Sequence, residues 1–205
     1  KLLEDINKNL TPKDNERKEK GEVFTPIYII EDMLNQLPPH VWSNPNLKWL
    51  DPAVGVGNFP IIVYLKLMEG LKNYKDDKID LTDEEKRRKH ILEKMLYMVE
   101  ISEKSIFILN KIFCGDKYKL NIYDKSFIEN PVIDNDSELW ILNMKFDIIM
   151  GNPPYNPPKK TGKSVGSAFW QNFVMKSFYM LSETGYLVFI HPPGWKKPTL
   201  EIFNE

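Results

Sequence analysis

The residues best suited to chemistry in this chain are Asn152-Pro153-Pro154-Tyr155, which directly follow the apolar run 146–151. An apolar run that stops at Gly-Asn-Pro-Pro predicts a buried strand ending in a rigid turn. The asparagine supplies a carbonyl acceptor and an amide donor, while the prolines have fixed φ angles and no N–H of their own. Tyr155 adds a flat π face. Acceptors grouped beside an aromatic face suit a planar ring with an exocyclic amino group; the alternative is a proline-rich loop without such a role.

A second candidate site is the glycine-rich segment 51–59, which reads Asp-Pro-Ala-Val-Gly-Val-Gly-Asn-Phe and lies between a short apolar stretch and an apolar helical segment. A strand, a glycine-rich turn and a helix in this order let a ligand approach the backbone and a helix N-terminus. The sequence contains neither the dinucleotide fingerprint G-x-G-x-x-G here nor the phosphate-binding loop G-x-x-x-x-G-K-[ST]. The pattern therefore predicts a ligand-binding loop of another kind.

Two acidic residues follow apolar runs and could bind parts of one ligand. Asp51 ends the first run, where its carboxylate could bind a cationic group, and Glu100 ends the next run, 95–99. A carboxylate at the end of the second strand often hydrogen-bonds a ribose diol in nucleotide-binding α/β folds. Either acid alone is compatible with a solvated loop carboxylate, but together and in this order they favour a nucleoside ligand.

Strands and helices must alternate to position these candidate residues. Hydrophobic periodicity predicts strands ending at Leu50 and over residues 95–99, 121–123, 146–150 and 185–190, and helices over residues 26–36, 59–71, 102–112 and 170–181. Strands that alternate with helices indicate an α/β fold, in which a parallel sheet carries helices on both faces. The long interval between the first two strands predicts an inserted helix there.

Four local predictions accompany this plan. The charged residues 2–20 are expected to form a helix, and Cys114 is expected to be a core or near-core thiol. Segment 83–88 is either a DNA-contacting basic patch or a solvated helix with compensating charges; acids directly precede the bases, which favours the solvated helix. The helix over residues 170–181 is expected to bury one face made by Phe169, Phe173, Val174, Ser177, Phe178 and Leu181.

Composition narrows the class of protein. A chain of 205 residues with 42% hydrophobic and 12% aromatic residues can build one well-packed domain. The net charge of −1 gives no overall attraction to a polyanion, and one cysteine excludes an internal disulfide. No apolar run is long enough for a membrane span and no signal-peptide pattern is present, so a cytoplasmic protein without a membrane partner is expected. Because the chain begins at Lys1 without a methionine, we expect a fragment of a longer protein.

Three sequence blocks, in this order, resemble one enzyme family. They are Gly-Glu-Val-Phe-Thr-Pro at 21–26, the glycine-rich segment 51–59 and Asn-Pro-Pro-Tyr at 152–155, and segment 184–192 resembles a strand that follows in the same family. Together they resemble the S-adenosylmethionine-dependent DNA adenine-N6 methyltransferases of the gamma type, found in restriction-modification systems. The likeness extends over roughly residues 21–195.

The resemblance implies a role for individual residues. The implied catalytic residues are Asn152, Pro153, Pro154 and Tyr155. The implied cofactor-binding residues are Phe24, Thr25, Pro26, Asp51, Pro52, Ala53, Gly55, Gly57, Asn58, Phe59, Glu100, Ile101, Asp124, Ser126, Phe127, Asn152 and Pro154. Where the family usually places an aspartate in a Gly-Asp-Phe-like block, this chain aligns Ser126, so the contact to the cofactor's adenine falls to Asp124 or Ser126.

The same resemblance implies a mechanism and an architecture. The methyl group of S-adenosylmethionine would pass directly to the amino group of an adenine flipped out of double-stranded DNA, leaving S-adenosylhomocysteine and using no metal. The implied fold is a Rossmann-like, mostly parallel sheet in three α/β/α layers. A helical segment 1–20 would precede the catalytic domain 21–205, whose last strands and target-recognition region would lie beyond Glu205. A restriction endonuclease or specificity region is a possible further part of the full protein.

Two other functions remain open. The same Asn-Pro-Pro-Tyr motif serves methyl transfer to glutamine in proteins, or to a base in RNA, because an amide or amine nitrogen presents similar geometry. The Phe-Thr-Pro element at 24–26 argues for DNA among these acceptors. The other alternative is a module that binds S-adenosylmethionine or DNA without catalysis; the intact motif at 152–155 argues against it, while the altered block at 121–127 leaves room for it.

Overall fold

A computed structural model describes residues 25–129, 131, 138, 140–155 and 169–192 of the chain. Its helices are α1 (Ile27–Leu34), α2 (Asn58–Gly70), α3 (Glu84–His90), α4 (Glu103–Ile112), α5 (Trp140–Asn143) and α6 (Phe169–Met180). Its strands are β1 (Trp49–Asp51), β2 (Leu96–Val99), β3 (Asn121–Tyr123), β4 (Phe146–Gly151) and β5 (Leu181–Phe189). A short 3-10 helix covers Pro39–Trp42, and a π-helical turn, Ile91–Met95, continues α3. The predicted helix over 2–20, Phe24 and the segment 193–205 lie outside the described residues.

The five strands form one sheet in the order β3-β2-β1-β4-β5, and every neighbouring pair is parallel. The chain therefore builds outward from β1 through β2 to β3, then crosses back to place β4 on the other side of β1. In open sheets of this kind, ligands bind outside the carboxyl ends of the strands at the point where the strand order reverses. That point lies between β1 and β4, which directs attention to the residues that follow these two strands.

Alternate residues of the strands face opposite layers, as the period of an extended chain requires. Trp49 of β1 and Ile148 of β4 lie in a core formed with α1, α2 and α4, whereas Leu50 and Ile149 lie in a second core formed with α5 and α6. Strands buried on both faces need mostly apolar residues, and β2 and β4 have them, with the half-buried Asp147 as the one charged residue of β4. The three-layer α/β/α arrangement and the parallel sheet are confirmed.

The buried face of α6 differs from the prediction. Phe178 is 52% exposed, and Leu181 opens β5 instead of ending the helix. The residues that α6 buries are Trp170, Phe173, Val174, Ser177 and Met180. The buried face is thus shifted around the helix axis relative to the predicted stripe. Met180 packs in the second core and Trp170 stacks on His191, while Phe178 is exposed.

Cys114 is exposed, so the prediction of a core thiol was wrong. The residue comes just after α4 and has a positive φ of 53°, so the helical conformation does not continue through it. The amide of Gly115 donates to the carbonyl of Asn110, which closes the helix end. Phe113, one position earlier, occupies the core instead.

The inserted helix between β1 and β2 is confirmed as α3, and its charges are compensated as predicted. Asp83 caps its N-terminus by accepting from the amide of Lys86, and Arg88 pairs with Glu84 at 2.9 Å. Arg87 differs from the picture of a solvated helix because it is buried and donates to the backbone carbonyls of Leu81 and Thr82. This arginine fastens the preceding loop to the helix and has little surface left to offer a phosphate.

Candidate functional site

The carboxyl ends of β1 and β4 meet at one point of the sheet edge. Asp51 is the last residue of β1, and Gly151 is the last residue of β4. Gly151 has a φ of +152°, and a Cβ there would lie 2.8 Å from Asp51 Oδ1. Glycine at this position lets the two strand ends approach each other, so the loops that follow them, segments 51–58 and 152–155, share one site.

The loop after β1 is built by backbone hydrogen bonds to the neighbouring strand. The amide of Val54 donates to the carbonyl of Val99 at the end of β2, and the amide of Gly57 donates to the carbonyl of Val54. Gly55 has a φ of +56°, and a Cβ there would have no atom within 4 Å. The loop therefore presents its backbone beside open space before α2 begins at Asn58, which is the arrangement predicted from the sequence.

The carboxyl group of Asp51 is buried among these loops. The amide of Ala53 donates to Asp51 Oδ1 at 3.1 Å. Loss of water on burial raises the pKa of Asp51 from 3.8 to about 8, the Ala53 hydrogen bond lowers this pKa and the nearby Glu100 raises it. Near neutral pH this carboxyl therefore holds a proton unless a cationic group lies against it.

Glu100 joins the loop after β1 to the loop after β2. Its Oε2 accepts from the amide of Gly55 at 2.7 Å, and its Oε1 accepts from the amides of Ile101 and Ser102 at 3.0 and 2.8 Å. Ser102 in turn caps α4 by accepting from the amide of Ser105. Ile101 is exposed beside this carboxylate. The proposed contacts of Glu100 with a ribose and of Ile101 with an adenine remain predictions.

Three of the residues predicted to surround the cofactor's adenine follow β3, which is separated from β4 by β2 and β1. Asp124 directly follows β3 and is exposed, and Ser126 is partly buried. Phe127 is 1% exposed and stacks on Phe173 of α6 with ring centroids 5.6 Å apart. Its ring therefore already belongs to the core beneath the sheet. The assignment of the contact to Asp124 or Ser126 remains a prediction, as does the role of Phe127 as a cofactor wall.

The loop after β4 holds the asparagine amide at both ends. Asn152 Nδ2 donates to Thr25 Oγ1 at 3.1 Å, and the hydroxyl of Tyr155 donates to Asn152 Oδ1 at 3.0 Å. Pro153 is buried, and Pro154 is partly exposed. Burial raises the pKa of the Tyr155 phenol, so the hydroxyl remains a donor at neutral pH.

Thr25 lies between the two loops. It is 5% exposed, its hydroxyl accepts from Asn152, and its backbone carbonyl accepts from Asn58 Nδ2 at 3.3 Å. Pro26 directly precedes α1 and is its N-cap residue. Sequence reasoning placed Thr25 beside a cofactor but missed its contact with Asn152, because a pair separated by 127 positions leaves no local pattern.

The pattern of the Eco57I restriction-modification methylase family matches residues 60–204. The chain belongs to this family. A curated relative from Mycoplasma pneumoniae, described as an uncharacterized adenine-specific methylase, is 26% identical over 89% of the chain. The chain spans 57% of the length of that relative.

Solved structures show that this Eco57I-family chain shares its fold with restriction-modification and methyltransferase proteins. The EcoKI M protein of a type I restriction enzyme has a TM-score of 0.57 at 16% identity, covering 88% of this chain and 36% of that one. The ATP-dependent type ISP enzyme LlaBIII, solved bound to DNA, has a TM-score of 0.57 at 19% identity. That match covers 92% of this chain and 16% of the LlaBIII chain. A Listeria monocytogenes protein described as a class I S-adenosylmethionine-dependent methyltransferase has a TM-score of 0.54 at 16% identity. That match covers 99% of this chain and 55% of the Listeria chain.

A stacked pair of rings lies beside the Asn152 loop in the Eco57I-family chain. The amide of Ile190 donates to the carbonyl of Gly151, which brings the end of β5 to the end of β4. His191 then stacks on Trp170 of α6 with centroids 5.2 Å apart and planes at 7°. The sequence signal for His191 was its position just after the last predicted strand, but nothing in the sequence pointed to Trp170 as its partner.

Two further findings concern only the described part of the chain. Within residues 25–129, 131, 138, 140–155 and 169–192, no group of three or more His, Cys, Asp or Glu is arranged to hold a metal ion. In the same ranges, no helix has both the length and the apolar character needed to cross a bilayer.

Proposed function

We propose that the protein containing this chain transfers a methyl group from S-adenosylmethionine to the N6 amino group of an adenine in DNA, within a restriction-modification system. The observation that carries this proposal is the close approach of Asp51, the last residue of β1, to Gly151, which ends β4 directly before Asn152. Membership of the Eco57I family and the adenine-specific methylase from Mycoplasma pneumoniae support it. We further propose that the protein acts in the cytoplasm, where its DNA substrate is found.

The residues around segment 51–58 fit S-adenosylmethionine by their chemistry. An ammonium group beside the buried Asp51 would offset the desolvation that raises the pKa of this carboxyl. Asn58 Oδ1 is a buried oxygen without a hydrogen-bond partner among the described residues, so a donor of a ligand bound at this loop can satisfy it. Gly55 borders open space in which the ligand can pass close to the backbone. Glu100 would accept hydrogen bonds from the ribose hydroxyls, and Asp124 or Ser126 would hydrogen-bond the adenine.

When bound, the cofactor supplies an electrophilic methyl group on a sulfonium centre. Asn152 Oδ1 and the carbonyl oxygen of Pro153 would accept the hydrogens of the target amino group. Two acceptors disfavour delocalisation of the nitrogen lone pair into the ring and aim it at the methyl group. Positive charge that develops on nitrogen then meets dipoles that are already oriented, so the gain in rate comes from positioning and electrostatics. S-adenosylhomocysteine would leave as the S–CH3 bond breaks, and the methylated nitrogen would release one proton to water.

A target adenine inside a duplex cannot reach this loop, so the base would be flipped out of the stack. Tyr155 would then stack on the flipped base, an interaction worth roughly 1–3 kcal/mol. In the structure without DNA, the Tyr155 hydroxyl donates to Asn152 Oδ1. The amino group of the target would replace this donor, which means that the acceptor passes from one partner to another and is not left unpaired.

DNA recognition would fall to a further part of the protein. The chain carries a net charge of −1, which gives it little overall attraction to a polyanion, and it spans 57% of its curated relative. A specificity region and a restriction nuclease, in the same chain or as partners, would complete the system. We assign residues 21–205 to the catalytic domain and residues 1–20 to a preceding segment.

The test is methyl transfer by the full natural protein with isotopically labelled S-adenosylmethionine. Plasmid DNA, RNA and cellular protein serve as alternative acceptors, and digested products are separated by mass spectrometry. Label in N6-methyl-2′-deoxyadenosine from DNA supports the proposal. Label only in RNA or in protein glutamine would refute it in favour of another acceptor, and cofactor binding without label in any acceptor would indicate a module without catalysis.

A further inference from the structure

We infer that Thr25 is a positioning residue, whose hydroxyl fixes the orientation of the Asn152 side-chain amide and thereby sets turnover. The inference rests on the proposed function, because it concerns the step in which Asn152 receives the target amino group. It differs from the role that the sequence implied for Thr25, a contact with the cofactor.

The contact that carries the inference is direct. Asn152 Nδ2 donates to Thr25 Oγ1 at 3.1 Å, and Thr25 is 5% exposed, so water has little access to replace the hydroxyl. The backbone of Thr25 is also held, because its carbonyl accepts from Asn58 Nδ2 at the start of α2. Hydrogen bonds therefore connect Thr25 to Asn58, where the glycine-rich loop meets α2, and connect Asn152 to the Thr25 hydroxyl.

An asparagine amide needs such a restraint. Rotation about its last side-chain bond is broad and roughly two-fold, and a half-turn exchanges an acceptor for a donor. Only the amide oxygen, Oδ1, can accept a hydrogen bond from the target amino group. Because Thr25 takes the Nδ2 end, Oδ1 is directed to the other side, where the Tyr155 hydroxyl donates to it. Tyr155 must give up this hydrogen bond when a base arrives, whereas the bond to Thr25 can persist throughout.

The two roles for Thr25 predict different kinetics. A hydroxyl that binds the cofactor contributes to cofactor affinity, and its loss is overcome by saturating cofactor. A hydroxyl that orients Asn152 contributes to the chemical step, and its loss remains at saturation. The balance between kcat and cofactor affinity thus separates positioning from binding.

The experiment compares Thr25→Val, Thr25→Ser and the unchanged full protein, each assayed for DNA methylation at saturating cofactor and for cofactor affinity by calorimetry. Valine has the shape of threonine without the hydroxyl, and serine restores the hydroxyl. Thr82→Val is the matched control, because the Thr82 hydroxyl also makes a hydrogen bond, which it donates to Asp80 in an exposed turn before α3. Circular dichroism of every variant verifies folding.

For Thr25→Val we expect kcat to fall about 10- to 100-fold, since Nδ2 of the part-buried Asn152 loses its acceptor. Cofactor affinity should stay within about twofold, and Thr25→Ser should recover most of the lost turnover. Unchanged kcat in Thr25→Val would overturn the inference, as would weakened cofactor binding with full turnover at saturation. An unchanged protein that does not methylate DNA would instead refute the proposed function, so the two failures are distinguishable.

Discussion

Gly151 lies against the Asp51 carboxyl group so closely that a Cβ at position 151 would come within 2.8 Å of Asp51 Oδ1. This contact joins the last residues of β1 and β4, and it brings the segment expected to bind cofactor to the segment expected to bind the target base. A single substitution at Gly151 should therefore disturb both.

Gly151→Ala should reduce the free energy of unfolding by roughly 2–4 kcal/mol, because it combines an unfavourable φ with overpacking against a buried carboxyl. Gly55→Ala is the matched control: Gly55 also has a positive φ, but a Cβ there would meet no atom within 4 Å. The control should lose only roughly 1–2 kcal/mol. Urea unfolding measures both values, and an equal loss in the two variants would contradict the close contact.

The buried Asp51 should make stability depend on pH. Its pKa is about 8 in the folded chain and 3.8 without the fold, so folding takes up a proton between these values. The contribution of this proton uptake to the free energy of unfolding is complete below about pH 4. It is lost as the pH rises through about 8, at up to ~1.4 kcal/mol per pH unit. Asp51→Asn cannot ionise, so its stability relative to the unchanged protein should increase across this range.

Urea unfolding from pH 5 to pH 8.5 checks this dependence. Asp80→Asn is the control, because the hydrogen bond from Lys75 lowers the pKa of Asp80 and keeps that group ionised throughout. Its difference from the unchanged protein should be constant over the same interval. A constant difference for Asp51→Asn as well would show that Asp51 is ionised in the folded chain.

Asn152→Ala and Asp51→Ala should separate catalysis from cofactor binding. The first removes an acceptor that acts on the target amino group, so turnover should fall by roughly 100- to 1000-fold or more while cofactor affinity stays nearly intact. The second removes the group expected to bind the cofactor's ammonium, so cofactor affinity should weaken first. Calorimetry and single-turnover methylation measure the two properties. Loss of cofactor binding in Asn152→Ala would refute its assigned role.

Tyr155→Ala should weaken retention of a flipped base, while Tyr155→Phe should preserve it. The phenylalanine keeps the aromatic face and loses only the hydroxyl that donates to Asn152 Oδ1. Fluorescence of 2-aminopurine at the target position reports the extrahelical base. Tyr179→Ala, at an exposed tyrosine of α6, is the control for loss of an aromatic ring. An unchanged signal in Tyr155→Ala would remove this residue from the stack.

Much of the fold was predictable because local chemistry dictates it. The apolar runs that became β2 and β4 are buried on both faces, and Ser102 caps α4 as its type predicts. The predicted helix after segment 51–59 also forms, as α2. In each case, residues within a few positions of one another decide the structure.

The differences from the predictions came from contacts that hydrophobic periodicity and charge pattern do not specify. The periodicity of α6 was compatible with more than one buried face, and the sheet selected the face that leaves Phe178 exposed. Arg87 lies in a charged run typical of a solvated helix, but its side chain is buried and donates to two backbone carbonyls of the preceding loop. The bond between Thr25 and Asn152 joins residues 127 positions apart. No local pattern encodes such pairs, so only the folded structure shows them.

The most direct test of the proposed function is modified-base sequencing of DNA from a host that lacks adenine methylation and expresses the full natural gene. The same gene with Asn152→Ala is the control. The proposal predicts N6-methyladenine at one recurring short sequence with the unchanged gene and none with the variant. Unmodified DNA, in cells where the protein is folded and binds S-adenosylmethionine, would contradict it.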